Sequence, residues 1–219
     1  MIKENLIKIK SSIPDLVTLV AVSKTKPIEA ISEAYAAGQR DFGENYVQEL
    51  CDKHEQLSKD INWHFIGHLQ SNKVKHIAPF VHLIHGIDSF KLLEEVNKQG
   101  KKNNRVINCL LQIYIAKEET KFGLSFDECE SVLNSEELTK LQNIKIVGFM
   151  AMASNTDNEA QIRNEFKSLK EFQTQVATST RPLSILSFGM SSDYKIAIEE
   201  GSNMIRIGSM IFGERDYTI

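Results

Sequence analysis

Leu16-Val17-Thr18-Leu19-Val20-Ala21-Val22-Ser23 is the stretch that decides the fold. It is β-branched, almost continuously apolar and too short for a typical helix, so it reads as a strand buried on both faces. Strands of that kind belong to parallel sheets connected by helices. The next residues supply such a connection: Pro27 opens a helix through Ala37 and Gly38 ends it. The same rhythm continues along the chain. Further strands are expected at 40–45, 63–67, 81–87, 106–115, 144–152, 183–188 and 204–207, with helices at 46–57, 70–78, 90–101, 125–133, 159–178 and 193–200. Asp88-Ser89 caps one helix, and Ser125 with Glu128 forms a capping box before another. Ile162, Phe166, Leu169 and Phe172 recur at helical spacing as a core stripe. Eight strands, all but the last followed by helical pattern, point to a closed (β/α)8 TIM-type barrel rather than an open doubly wound sheet. No linker divides the chain, so one domain is expected over residues 1–219, with an extra helix at 1–12.

Composition narrows the function classes. With 42% hydrophobic and 25% charged residues, the chain reads as an ordinary soluble globular protein. A net charge of −3 gives no reason to expect nucleic acid or an anionic membrane as partner. No apolar run reaches the length of a membrane span, and the polar start Met1-Ile2-Lys3-Glu4-Asn5 resembles no signal or transit peptide. Cys51, Cys109 and Cys129 are odd in number and lack CxxC spacing, which argues against a disulfide framework or a zinc knot. A reduced, cytoplasmic protein is expected.

In a barrel of this kind, function gathers at the C-terminal ends of the strands. The first strand ends in Ser23-Lys24. A desolvated lysine there has a lowered pKa and can attack an aldehyde to form a Schiff base, whereas a solvent-facing rim lysine does nothing of the kind. Lys26 competes with it but precedes Pro27 and reads as loop. Phosphate commonly binds after strands seven and eight of such barrels. Here those strands run into Ser187-Phe188-Gly189-Met190-Ser191-Ser192-Asp193 and Ile205-Arg206-Ile207-Gly208-Ser209. Ser191 to Asp193 could equally be a plain helix cap, and Gly208-Ser209 a tight turn. Arg206, between two isoleucines of a barrel strand, must contact a ligand or be paired, for instance with Glu44. A lysine, an anion cup and an interior arginine together suit a ligand with an aldehyde, a phosphate and a heteroaromatic ring, and pyridoxal 5′-phosphate (PLP) has all three.

Several motifs carry a family resemblance. They are Ala21-Val22-Ser23-Lys24-Thr25-Lys26-Pro27, Phe42-Gly43-Glu44-Asn45-Tyr46-Val47-Gln48-Glu49, Trp63-His64-Phe65-Ile66-Gly67-His68-Leu69-Gln70-Ser71-Asn72-Lys73 and the two C-terminal runs above. Together, in order from near residue 16 to Tyr217, they resemble the YggS/PROSC family of PLP homeostasis proteins. The resemblance implies a fold-type III PLP barrel like the N-terminal domain of alanine racemase. Carried over by position, Lys24 would be the Schiff-base lysine and Asn45 would line the cofactor face. Ser191, Gly208 and Ser209 would hold the phosphate, Arg206 would face the pyridine nitrogen, and Met190 and Ser187 would back the site. Ser209 stands where threonine is common in the family and keeps the hydroxyl. An arginine does not readily surrender its proton, so the ring nitrogen would stay unprotonated and be a weaker electron sink.

Alanine racemase draws a second acid–base tyrosine from a C-terminal β domain of its partner subunit. This chain runs only to Ile219, just after strand eight, so the resemblance implies a barrel without that domain. The expectation is a carrier or buffer of PLP that supports vitamin B6 and amino-acid homeostasis, acting as a monomer and passing PLP to apo-enzymes. The alternatives are a small racemase-like PLP enzyme with Lys24 as its only base, and a PLP-free barrel that binds a sugar phosphate. Metal binding by His64, His68, His82 and His85 is set aside because no carboxylate or cysteine stands at matching spacing. His85 is expected at the barrel mouth, Lys73 and Lys75 on a solvated helix face, and Glu118, Glu119 and Lys121 in a surface loop.

Overall fold

The computed structural model describes residues 1–117 and 122–214, so the expected loop at Glu118, Glu119 and Lys121 lies outside the described residues. The strands are β1 (Thr18–Val22), β2 (Asp41–Glu44), β3 (Asn62–Phe65), β4 (Leu83–Ile87), β5 (Ile107–Gln112), β6 (Ile144–Met150), β7 (Ile185–Ser187) and β8 (Met204–Ile207). They close into a barrel in sequence order, all neighbours parallel, with β8 returning to β1 through Val20 opposite Arg206. The helices outside it are α1 (Ile2–Lys10), α2 (Ile28–Ala36), α3 (Val47–Gln56), α4 (Val74–Ile77), α5 (Phe90–Lys102), α6 (Phe126–Asn134), α7 (Glu136–Thr139), α8 (Glu159–Val176), α9 (Tyr194–Glu199) and α10 (Ser209–Phe212). Among the described residues, no helix is long and apolar enough to cross a membrane.

Continuous apolarity in the strands has the cause expected of it. One face of each strand meets the helices, in a large core that includes Phe42, Trp63, Phe65, Phe149 and the α8 stripe of Phe166 and Phe172. The alternate residues point into the barrel, where Val20, Leu83, Leu110, Met150 and Met204 form a separate apolar plug. Helix starts follow the cap signals. Ser89 accepts from the Leu92 amide, and Ser125 and Glu128 make the reciprocal capping box.

Five elements depart from expectation, one of them the single turn α7, where no helix was expected. β8 is followed by a helix after all: α10 is a single turn whose amides at Ile211 and Phe212 return to the Gly208 carbonyl, too short to show a period. The helix expected at 70–78 starts as a 3₁₀ turn at Ser71–Lys73 and becomes α-helical at Val74. β5 stops at Gln112, and Ile113 makes only an isolated bridge to Leu124. Pro27 is the extended N-cap of α2, with ψ 161°, rather than its first helical residue.

Close backbone approach shapes the barrel mouth at Gly67. A Cβ there would lie 2.3 Å from the Asn45 carbonyl oxygen and 2.8 Å from its Cα. Gly67→Ala therefore pushes the end of β2 away, at a cost of about 1–3 kcal/mol, typical of overpacking. Urea unfolding of the variant measures this; an unchanged midpoint would show that the two backbones have room to separate.

Candidate functional site

The period-two alternation of the strands builds the site. The inward set at the C-terminal ends comprises Val22 at the end of β1 and Lys24 beyond it, Asn45 after β2, Ile66 after β3, Met152 after β6 and Arg206 and Gly208 at β8. They line one cavity of about 380 Å³, together with Met190, Ser191, Ser192 and Ser209 from the loops after β7 and β8. That volume lies in the range of small-ligand pockets. All seven residues singled out from the sequence, Lys24, Asn45, Met190, Ser191, Arg206, Gly208 and Ser209, are thereby brought together. A wider groove of about 770 Å³ adjoins it through Asn45 and runs between α3 and α4 past Cys51, His54, His68 and Lys73.

Lys24 and Lys26 both line the cavity, in different surroundings. The Lys26 ammonium donates to the carbonyls of Phe212, Gly213 and Glu214 at 3.2, 3.2 and 2.8 Å, and so ties down the turn after α10. Lys24 is half-buried on the cavity wall. Its neighbour Thr25 holds φ at +62°, a strained value for a β-branched residue, and its amide donates to Glu49 at 2.6 Å. The platform beneath is a buried charge cluster. Lys53 donates to Glu44 at 2.8 Å, to Glu49 at 2.7 Å and to the Ser23 carbonyl at 2.8 Å, and the Ser23 hydroxyl donates to Glu44 at 2.6 Å. Burial pushes the Glu44 carboxyl up to about 7, against the opposing pull of Lys53 and Ser23.

The loops after β7 and β8 meet through their hydroxyls, with Ser209 Oγ donating to Ser191 Oγ at 3.1 Å. Asp193 sits at the N-cap position of α9 but makes no side-chain cap bond there; its carboxylate accepts from the Met190 amide at 2.6 Å. Of the segment Ser191 to Asp193, Asp193 takes the N-cap position, whereas the Ser191 hydroxyl faces the cavity. Gly189, at φ +98°, makes the turn possible, and a Cβ there would meet the Ala197 Cβ at 2.6 Å.

Arg206 does not pair with Glu44, which is held by Lys53 and Ser23 on the outer side of the sheet. Its Nη1 donates to the Ser187 carbonyl and hydroxyl at 2.6 and 2.7 Å, and Nη2 donates to the Ala151 carbonyl at 3.0 Å. None of these bonds uses Nε. Burial lowers its pKa to about 10, partly countered by Asp193, so it remains a cation at neutral pH.

Beneath Arg206 the barrel interior holds a line of polar side chains that spacing did not reveal. Ser187 Oγ lies 3.0 Å from His85 Nδ1, His85 Nε2 lies 2.9 Å from His64 Nδ1, and His64 Nε2 lies 3.0 Å from Asp41 Oδ1. His85 is thus fully buried inside the barrel and not at its mouth. Burial, reinforced by the Arg206 charge, holds its pKa well below the usual imidazole value, so it is neutral. Partner chemistry assigns the protons. Arg206 only donates and a carboxylate only accepts, so the Ser187 hydroxyl donates to His85 Nδ1, His85 Nε2–H donates to His64, and His64 Nε2–H donates to Asp41. His68 stays outside, exposed and paired with Asp88 at 3.2 Å. Lys73 and Lys75 are exposed, as expected.

The cavity therefore offers a primary amine, two hydroxyls 3.1 Å apart, a buried guanidinium, and an Asn45 Oδ1 that is buried with no hydrogen-bond partner among the described residues. That donor and acceptor set fits PLP in each part: aldehyde, phosphate and ring. Val22, Ile66 and Met152 were not singled out from the sequence, although inward parity was the signal that finds them.

Comparisons with known proteins agree with this geometry. The family model described as the alanine racemase N-terminal domain matches residues 1–216. A pyridoxal phosphate homeostasis protein of Vibrio cholerae is 42% identical over 210 residues, covering 92% of this chain and 87% of its own. One from Aquifex aeolicus is 40% identical over 201 residues, covering 91% and 87%. PipY of Synechococcus elongatus, at 36% identity and covering 97% of this chain and all of its own, superposes with a TM-score of 0.92 when solved without PLP and 0.87 with PLP bound.

Proposed function

The chain belongs to the family of pyridoxal phosphate homeostasis proteins, within the alanine racemase N-terminal domain family, and from that premise we propose that it binds and buffers PLP as a Schiff base on Lys24. The observation that carries this is the gathering of Lys24, Arg206 and the Ser191–Ser209 hydroxyl pair around one cavity. PLP supplies an aldehyde that condenses reversibly with a primary amine. The chain's residues do the rest. Ser191, Ser209 and the Ser209 and Met210 amides at the start of α10 bind the phosphate, and Gly208 leaves room for its approach. Arg206 sits on the ring side, where a guanidinium donates a hydrogen bond without giving up its proton and so discourages carbanion chemistry. The apolar Val22, Ile66 and Met152 cover the ring and exclude water. Held so, PLP is kept from stray amines and can be released, in the cytoplasm, to apo-enzymes.

Loading with PLP, reducing with borohydride and mapping the tagged peptide tests the site; the tag is expected on Lys24. The same loaded protein, incubated with D- and L-amino acids in deuterated water, is expected to leave the α-hydrogen unexchanged. Rapid exchange would favour a racemase-like enzyme, and a tag elsewhere would displace Lys24.

A further inference from the structure

The far end of the barrel gathers a second set of chemistry-bearing groups. Asp41 begins β2, His64 lies within β3, and His82 immediately precedes β4, so three adjacent strands present them at the N-terminal mouth. One ligand atom from each, a carboxylate oxygen and two imidazole nitrogens, lies within 4.8 Å of the others. The carboxylate that sequence spacing did not offer to the histidines is supplied by the fold. We propose that Asp41, His64 and His82 bind a divalent transition-metal cation of the zinc class.

Three observations carry the assignment. The donor set, two imidazoles and a carboxylate, suits zinc, cobalt or nickel and leaves a fourth position for water. His64 is fully buried and its far nitrogen is held by His85 at 2.9 Å, the outer support that metal-bound histidines require. Asp41 is about one-quarter exposed, with side-chain accessibility of 26%, and His82 is exposed, which provides an entry path. Zinc-bound atoms sit roughly 2.0–2.2 Å from the metal, so the three ligands must draw together. The exposed His82 ring is the part able to move, since its backbone amide is anchored to the Trp63 carbonyl at 2.8 Å. Arg105, whose guanidinium is fixed by the carbonyls of Ala78 and Val81, adds a positive charge near His82. That charge points to an exchangeable cation rather than a permanent one.

Binding has a consequence inside the barrel. A metal on His64 Nε2 needs the lone pair there, so the ring's proton must sit on Nδ1 and donate to His85 Nε2. His85 then carries its proton on Nδ1 and donates to Ser187 Oγ, whose own hydroxyl turns away. Each imidazole keeps one proton and only the nitrogen bearing it changes. The hydrogen bonds beneath Arg206 are thereby reversed from the opposite end of the barrel.

The test uses the full chain stripped of cofactor and metal, so its outcome does not depend on PLP. Calorimetric titration with Zn²⁺, and visible absorbance with Co²⁺, is expected to show one site, with affinity at least tenfold weaker in both His82→Ala and Asp41→Asn. ¹⁵N NMR is expected to show the protonated nitrogen of His85 change from Nε2 to Nδ1 on loading. Circular dichroism checks that both variants fold. Absent binding in the wild type, or binding unchanged in both variants, would overturn the site; an unchanged His85 tautomer in the loaded protein would overturn the coupling.

Discussion

Lys24→Ala is expected to abolish the visible absorbance that PLP acquires on linkage to the protein, while leaving the fold intact. The side chain lies half-buried on a cavity wall, outside the main core, so its truncation removes little packing. What remains for PLP is non-covalent: a few hydrogen bonds to charged groups, worth about 1.5–3 kcal/mol each, from the serine pair and Arg206. The variant should therefore bind PLP weakly and reversibly, releasing it on gel filtration where the wild type retains it. Lys26→Ala is the informative control. Its ammonium is engaged with three carbonyls at and beyond the end of α10, so its loss should loosen that turn and leave the absorbance in place. Retention of the band in Lys24→Ala, or its loss in Lys26→Ala alone, would move the linkage to the other lysine.

The fold and the cavity wall were largely legible because both follow from period two. Once the run at 16–23 is a buried strand, every second residue faces inward, and the inward residues at the strand ends are the cavity. Lys24 and Arg206 were found from their strand positions and Asn45 through the family resemblance, while Val22, Ile66 and Met152 could have been found by inward parity. The polar line inside the barrel was not legible. Its members come from four strands, with His64 and His85 separated by 21 residues and His85 and Ser187 by 102, so no local spacing connects them. The protein partners of Arg206 were not legible for a related reason. A sequence displays carboxylates, whereas this guanidinium is satisfied by the backbone carbonyls of Ser187 and Ala151, which every residue possesses. Short elements escaped too, since the single turn α10 carries no periodicity to detect.

The buried pair under Lys24 should reveal itself in stability. The Glu44 side chain has no exposed surface and that of Lys53 is 6% exposed. Lys53→Met keeps most of the aliphatic stem but strands Glu44 without its cation, a change that costs about 3–5 kcal/mol when a buried pair is broken from one side. Glu44→Gln should cost far less, because Lys53 retains Glu49 and the Ser23 carbonyl. The pH dependence separates a stranded charge from lost packing. Burial already holds the Glu44 carboxyl up at about 7, above its ordinary 4.5, and removing Lys53 raises it further. An acid whose folded-state pKa is raised binds its proton more tightly when folded. Its contribution is therefore fully present below about 4.5 and is lost as pH rises through 7. Urea unfolding of Lys53→Met should show the full deficit at pH 7.5 and a partial recovery near pH 5. A deficit that is equal at both values would assign the loss to packing, and no deficit at pH 7.5 would mean that Glu44 is already neutral in the wild-type fold. Because Lys53 and Glu44 also hold the carbonyl and the hydroxyl of Ser23, the variant should retain its PLP linkage less firmly, which ties the strength of the Lys24 site to a charge pair on the outer side of the barrel wall.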